Sequence, residues 1–214
     1  HIVGLEALPV TVEVDVSQGL YTFAIVGLPD KAIDESKDRI IAALKNTGLR
    51  NPKTENHKVT VSLAPAHIKK EGSHFDLPIA LTYLVASKQL SVASNAGWFV
   101  GELSLTGEIM PMMGVLSIAE RAKKEGALAL YVPSANVEEA ALVEGLTVYG
   151  CTHLRDVVLH LGGLIEGIDT VMELTPAAHT EIIYIRPDSF LDFKDIRGQE
   201  TAKRALEIAA SGGH

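Results

Sequence analysis

The chain has 214 residues, and its 19 lysine and arginine side chains against 27 aspartate and glutamate side chains give a formal net charge of −8 at pH 7. Hydrophobic residues make up 47% of the sequence, a share that is typical of a globular protein and excludes an intrinsically disordered one. The acidic balance and the 5% share of aromatic residues argue against a free-standing nucleic-acid binder, which usually presents a basic face.

Further features of the sequence bear on membrane association, cellular location and metal binding. Its apolar stretches are interrupted before they reach the roughly 18 residues of a membrane span, so we expect no membrane association. The single cysteine, Cys151, excludes an internal disulfide and favours a reducing, cytoplasmic location. His67, His74 and Asp76 fall in one loop, but the histidines do not show the spacing of a zinc site, so we expect no bound metal.

The apolar pattern changes between strand and helix spacing along the chain. Residues 10–16 and 21–26 predict two strands, which a turn at Gln18 and Gly19 would join as a hairpin. Asp30 is placed to cap a helix that runs to Asn46. The remaining alternation predicts an α/β fold with a mixed sheet. Its elements are strands at 58–63, 98–100, 127–132 and 147–149, and helices at 76–87, 115–125, 137–143 and 154–161.

The periodic pattern ends at Gly162 and Gly163. Residues 164–189 contain two prolines and few periodic segments, which is typical of a linker, with one edge strand expected at 181–185. A polar run and a helix at 200–210 then indicate a different unit. The sequence therefore predicts a domain at 1–163, a linker at 164–189 and the start of a second module at 190–214. The missing initial methionine and the glycines after the last helix favour a fragment of a longer protein.

The charged loop at Lys69 and Lys70 is the clearest candidate for contact with a phosphate group or a partner, although a solubilising loop has the same pattern. No G-x-x-x-x-G-K-[ST] run occurs in the chain, so it contains no recognisable loop for holding a triphosphate.

Several sequence blocks follow one another in a fixed order. They are V-G-L-P-D at 26–30, L-A-P-A at 63–66, K-E-G at 70–72, F-D-L-P-I-A at 75–80 and G-E-L-S-L-T-G at 101–107. A further run, D-F-K-D-I-R-G-Q at 192–199, precedes A-S-G-G-H at 210–214. Taken together, the blocks resemble the N-terminal part of the magnesium-chelatase-like AAA+ proteins, the YifB/ComM family. The last run is similar to the approach to that family's ATPase module.

The resemblance implies a Lon-protease-like domain of the ribosomal-protein-S5-domain-2 type, an α+β arrangement of a mixed sheet with helices. Lon-type proteases use a serine that is activated by a lysine of depressed pKa. Matching the motifs residue by residue places His74 in the serine position and Leu116 in the lysine position, with Ser73 adjacent to the former. Leucine cannot accept a proton, so we expect no catalytic residue in this chain.

For the full-length protein, the resemblance implies a hexameric ring ATPase that binds ATP and Mg²⁺ and drives DNA branch migration in recombination or natural transformation. Ile196 and Gly198 would then form part of the adenine pocket, and Lys69 and Lys70 would contact DNA or a partner protein. The alternatives are a magnesium-chelatase-type metal-insertion ATPase subunit, an active Lon-type Ser–Lys peptidase, and a scaffold domain that only sets the geometry of an oligomer.

Overall fold

A computed structural model describes residues 1–4, 6–92, 97–168, 172–182 and 192–213. Contacts divide the chain into two compact units, His1–Glu181 and Ile182–His214. The predicted mixed α/β class is confirmed. The strands in the described residues are β1 (Ile2–Val3), β2 (Glu6–Ala7), β3 (Thr11–Gln18), β4 (Thr22–Val26), β5 (His57–Ala64), β6 (Trp98–Phe99), β7 (Glu102–Leu103), β8 (Ile109–Met110), β9 (Ala129–Pro133) and β10 (Thr147–Cys151). The helices are α1 (Lys31–Asn46), α2 (Asp76–Ala86), α3 (Val115–Lys124), α4 (Val137–Ala140), α5 (Leu154–His160) and α6 (Glu200–Gly212), with short 3₁₀ turns at Ser73–Phe75, Ser134–Asn136 and Phe193–Asp195.

The first sheet has the order β3–β5–β4, so the predicted hairpin between β3 and β4 is wrong. β5 lies between them, pairing antiparallel with β3 and parallel with β4. The physical reason is that α1 connects β4 to β5 as a β–α–β unit, which places two parallel strands side by side. The chain does reverse after Gln18, at Gly19 and Leu20, but the reversal joins two strands that have β5 between them.

Alternation along these strands turns one face of the sheet towards the core, where α2 contacts β3 and α1 packs on α2. α1 begins where predicted, because the Asp30 carboxylate accepts a hydrogen bond from the Ile33 amide at 2.9 Å. The buried apolar stripe of α1 consists of Ile33, Ile40, Ala43 and Leu44.

The second sheet, β10–β9–β6, is entirely parallel. Leu130 and Val148 pack in one core cluster with α3 and α4, whereas Tyr131 and Tyr149 belong to the cluster on the other face, with α5. All five residues of β9 are buried. A parallel strand that is covered on both faces has a continuous apolar sequence rather than an alternating one, which agrees with the apolar run at 127–132.

Part of the predicted linker packs on the first unit. Ile165 and Leu174 are buried in its core, and the Ala177 amide donates to the Val148 carbonyl at 2.8 Å. By its contacts, the first unit reaches Glu181. The edge strand expected at 181–185 lies mostly outside the described residues, and the functional division into domain, linker and second module stays a prediction.

In the second unit, the structure describes Ile182, at its start, and the residues from Asp192 to Gly213. Asp192 and Asp195 form a reciprocal cap around the turn Phe193–Asp195. α6 follows two residues in the left-handed region, Gly198 (φ 71°) and Gln199 (φ 59°), and agrees with the predicted helix. Across the described ranges, no helix combines the length and the apolar character that crossing a membrane would take.

Candidate functional site

The five sequence blocks of the first unit meet in space. We call this region, residues 26–30, 63–66, 70–80 and 101–107, the motif junction. The Lys70 amide donates to the Leu28 carbonyl at 3.1 Å, and the Asp30 amide donates to the Lys70 carbonyl at 3.0 Å. On the other side, the Gly101 amide donates to the His74 carbonyl at 3.0 Å. Blocks that lie far apart in the sequence therefore build one local structure.

Lys70 holds two of these blocks together from inside the protein. Its exposed fraction is 0%, and its ammonium group donates to the Gly27 carbonyl at 2.9 Å and to the Pro65 carbonyl. Burial lowers the pKa of the Lys70 amine. The inward direction of the side chain removes Lys70 from the surface that we expected to contact DNA or a partner. Lys69 is exposed and pairs with Glu71 at 2.7 Å, so a contact through Lys69 stays a prediction.

Gly27 and Asp30 allow this close approach of loops. Gly27 has a φ of 107°, and a Cβ atom added there would lie 2.2 Å from the Leu63 carbonyl oxygen, so the position requires glycine. Asp30 uses one carboxylate oxygen for the cap of α1 and accepts the Gly72 amide on the other at 3.0 Å. One aspartate therefore orders both a helix start and the K-E-G loop.

A buried ion pair supports the other side of the junction. Asp76 accepts hydrogen bonds from Arg39 Nε at 2.7 Å and Nη2 at 3.1 Å, and a third from the Leu103 amide at 3.2 Å. Burial raises the pKa of Asp76 to about 6, although Arg39 opposes the shift. The hydrogen bond to Asp76 raises the pKa of Arg39. The pair therefore links α1 to the start of α2 and to β7.

Ser73, next to the serine position of the resemblance, and Leu116, in its lysine position, are both engaged in other contacts. The Ser73 hydroxyl donates to the Glu102 carboxylate. Leu116 lies on α3, where its amide donates to a Glu139 carboxylate oxygen at 2.9 Å. In Lon-type proteases the serine hydroxyl is activated by a lysine amine. Ser73 instead has a carboxylate as its partner.

His74 lines a cavity of about 470 Å³, together with apolar side chains that include Phe75, Trp98 and Phe99. Burial lowers the pKa of His74 to about 4, so its imidazole is neutral at pH 7. Its Nε2 is buried and has no hydrogen-bond partner among the described residues. Across those same residues, no three histidine, cysteine, aspartate or glutamate side chains are grouped to hold a metal ion.

The second unit carries the remaining sequence block at residues 192–199, which we call the lead-in segment. Ile196 ends the 3₁₀ turn, with its amide donating to the Phe193 carbonyl at 3.2 Å and its side chain 46% exposed. Gly198 has open space around the position of a Cβ atom. An exposed apolar side chain beside a glycine is compatible with contact to a flat ring, and the nucleotide role of the two residues stays a prediction.

Two residues that support the junction, Arg39 on α1 and Glu102, are not recognisable from the sequence alone. Arg39 sits within an amphipathic helix, where an arginine ordinarily faces solvent, and only its place next to buried Ile40 hints otherwise. Glu102 follows a glycine before a strand, a pattern that carries no sign of its bond to Ser73. Both contacts join residues far apart in the chain, so local patterns contain no signal for them.

Comparison with known proteins covers both units. A family model described as "Subunit ChlI of Mg-chelatase" matches residues 12–136, which contain the motif junction. A second family model, described as "Magnesium chelatase, subunit ChlI", matches residues 192–214, which contain the lead-in segment and α6.

Curated relatives match along nearly the whole chain. Competence protein ComM of Haemophilus influenzae is 40% identical over 220 residues, covering 99% of this chain and 40% of that protein. The uncharacterized protein YifB of Escherichia coli is 38% identical over 212 residues, covering 99% of this chain and 39% of that protein. The chain thus spans about two fifths of the length of these relatives.

The fold and the junction define a mixed α/β unit, followed by a short helical unit that carries its own sequence block. With the matches to both units, the chain belongs to the magnesium-chelatase-like ComM/YifB family.

Proposed function

We propose that the first unit is the non-catalytic, Lon-like domain of a magnesium-chelatase-like AAA+ ATPase, and that the full-length protein is a DNA helicase that drives branch migration. The observation that carries this proposal is the use made of the motif junction. Lys70 is bonded to two backbone carbonyls and Ser73 is bonded to the Glu102 carboxylate, so both groups stabilise the fold. The likeness to Competence protein ComM supports a role in natural transformation.

The proposal also gives the lead-in segment a role in binding ATP. Ile196 would supply apolar contact to the adenine ring, and Gly198 would let the backbone approach it closely. Neither residue has a side chain that binds phosphate or Mg²⁺, so the proposal assigns the Mg²⁺ ion and the phosphates to other residues of the full-length protein.

A hexameric ring would also increase the combined affinity of weak DNA contacts. The net charge of −8 disfavours DNA binding by a single copy, because affinity for phosphates grows with the number of cations that contact them. Six copies of Lys69 around one DNA molecule would act together through their effective concentration. Replacing Lys69 by glutamate in the full-length protein should then weaken DNA binding, and an unchanged affinity would remove this part of the proposal.

The test of the whole function is the ATPase activity of the full-length protein with branched DNA, with a porphyrin, and without either. We expect stimulation by branched DNA, together with ATP-dependent unwinding of a four-way junction. Stimulation by porphyrin without a response to DNA would contradict the proposal and favour a metal-insertion subunit, the activity after which the matching family model is described.

The non-catalytic assignment has a separate test. We expect no turnover of fluorogenic casein by the protein or by its Ser73→Ala variant. Turnover that disappears in Ser73→Ala would show that the Ser73 hydroxyl is a working nucleophile in spite of its bond to Glu102.

A further inference from the structure

A row of aromatic rings crosses the second sheet and ends at His160. Phe99, Tyr131 and Tyr149 lie on neighbouring strands, with successive ring centroids 4.4 and 4.8 Å apart. His160, on α5, packs against the two tyrosines with centroid distances of 5.8 and 5.0 Å. The Tyr131 hydroxyl lies 3.2 Å from His160 Nε2. One nitrogen of the imidazole is therefore occupied inside the core.

The other nitrogen of His160 holds the chain that follows the core. The Leu174 amide donates to His160 Nδ1 at 3.0 Å. We call residues 172–180 the strap. Beyond Leu174, the Ala177 amide donates to the Val148 carbonyl at 2.8 Å, and the Thr180 amide donates to the Ala141 carbonyl at 3.0 Å. The strap thus lies along the outer edge of β10 and ends beside Glu181, the last residue of the first unit.

The bond from Leu174 is possible only with a neutral imidazole. A backbone amide can only donate, so Nδ1 must carry a lone pair and the ring proton must sit on Nε2, where it can be donated to Tyr131. Protonation of Nδ1 would set two N–H groups against each other and break the contact. The side chain whose ordinary pKa lies nearest to neutrality is thus the one that fastens the strap.

Three titratable groups face the imidazole from the elements packed against it, within the described part of the chain. Tyr131 on β9 and Tyr149 on β10 contact the ring, and Glu173 lies on the strap. Burial lowers the pKa of His160, and the negative charge of Glu173 opposes that shift. Burial raises the pKa of Tyr131 to about 12, so this hydroxyl stays neutral while His160 titrates.

The strap also carries a second histidine, His179, whose contact would be strengthened by a proton and not broken by it. His179 Nε2 lies 3.9 Å from a Glu144 carboxylate oxygen, an attraction that exists only when His179 is protonated. The Glu144 side chain is 88% exposed and that of His179 is 43% exposed, so the attraction contributes little to holding the strap. His179 is therefore a matched control for His160 on the same segment.

We propose that His160 is a proton-sensitive latch: in its neutral form it holds the strap on β10, and in its protonated form it releases the strap. Release uncovers the edge of β10, whose free backbone groups can then pair with another strand. It also adds nine residues of free chain ahead of the second unit, a reach of about 30 Å when extended.

The test is hydrogen exchange of this chain, with protection corrected for the intrinsic effect of pH. Between about pH 7.5 and about pH 5, we expect protection of the Leu174, Ala177 and Thr180 amides to fall about tenfold or more, while protection within β9 is kept. His160→Asn keeps an oxygen that can accept the Leu174 amide and does not titrate, so its strap should be equally protected at both values. An equal loss in both proteins, or no loss in the wild type, would overturn the proposal.

Two further measurements keep the test independent of how well the variant folds. His179→Gln should respond to pH as the wild type does, and a lost response would assign the switch to His179 instead. In long-range ¹H–¹⁵N spectra of the wild type, Nδ1 of His160 should be unprotonated near neutral pH, and its protonation should coincide with the loss of protection at Ala177. A protonated Nδ1 near neutral pH, or titration that leaves Ala177 protected, would contradict the latch.

Discussion

The motif junction and the lead-in segment both carry blocks that resemble one family, but they differ in burial and in how far apart in the sequence their bonded residues are. In the junction, Lys70 and Asp76 are fully buried and bond to Gly27 and Arg39, 43 and 37 residues away. In the lead-in segment, the bonds join residues no more than four positions apart, and Ile196 stays exposed. The difference teaches that a family motif is not by itself a ligand site: the junction blocks build the fold, whereas the lead-in segment keeps its groups open.

The largest effect should come from Arg39→Met, which leaves Asp76 buried without its counter-charge. We expect a loss of about 4 kcal/mol in the free energy of unfolding near pH 7.5, measured by urea denaturation. The cost should shrink as the pH falls, because the pKa of Asp76, about 6 with Arg39 present, rises further without the guanidinium. A folded-state pKa above the unfolded value gives stability that is present at low pH and is lost as the pH rises through it.

The control for this variant is Arg50→Met, whose guanidinium is 60% exposed and lies 3.6 Å from Glu55. It should change the free energy of unfolding by about 0.5 kcal/mol or less. A cost for Arg39→Met that is independent of pH, or equal to that of Arg50→Met, would show that the junction does not depend on a buried charge pair.

Gly27→Ala should follow, with a loss of about 3 kcal/mol in the free energy of unfolding. The new Cβ atom would meet the Leu63 carbonyl, a backbone atom that cannot move without displacing β5. Gly126→Ala is the control, because Gly126 also has a positive φ, 75°, but has open space around it. It should lose only about 1 kcal/mol, from backbone strain alone. Equal losses in thermal denaturation would mean that strain, and not close approach, fixes Gly27.

Lys70→Met keeps an unbranched apolar stem but removes the ammonium group, which donates to the Gly27 carbonyl and to the Pro65 carbonyl; the latter keeps its bond from the Ile68 amide. We expect a loss of about 2 kcal/mol in the free energy of unfolding. Lys69→Met, one position earlier, removes an exposed charge and should leave the free energy of unfolding close to that of the wild type. Similar values for the two variants would erase the distinction between a buried and an exposed lysine.

Ile196→Ala should have the smallest effect on stability, about 0.5 kcal/mol or less, because its side chain is exposed in the lead-in segment. In the full-length protein, the same change should weaken ATP binding about fivefold, measured by calorimetry, through the loss of roughly 1 kcal/mol of apolar contact. Leu206→Ala, an exposed apolar position on α6, is the control and should leave ATP affinity unchanged. An unaltered affinity in Ile196→Ala would contradict the adenine-pocket role.

Local signals were sufficient for elements whose causes are local. The cap at Asp30 and the apolar spacing after it predicted α1, since both act within one or two helical turns. Strand order was not predictable in the same way, because the insertion of β5 between β3 and β4 depends on the whole sheet. Lys69 and Lys70 make the point most sharply. They are identical neighbours, and carbonyls outside the loop decide which of the two is buried.

The central position of β5 has a consequence for synthesis on the ribosome. β3 and β4 emerge before β5, the strand that lies between them in the sheet and that ends only at Ala64. During that interval the nascent chain exposes the apolar faces of two unpaired strands, while α1, with its own cap, is able to form early. Translation through residues 31–64 is therefore an interval in which these two strands are open to incorrect pairing.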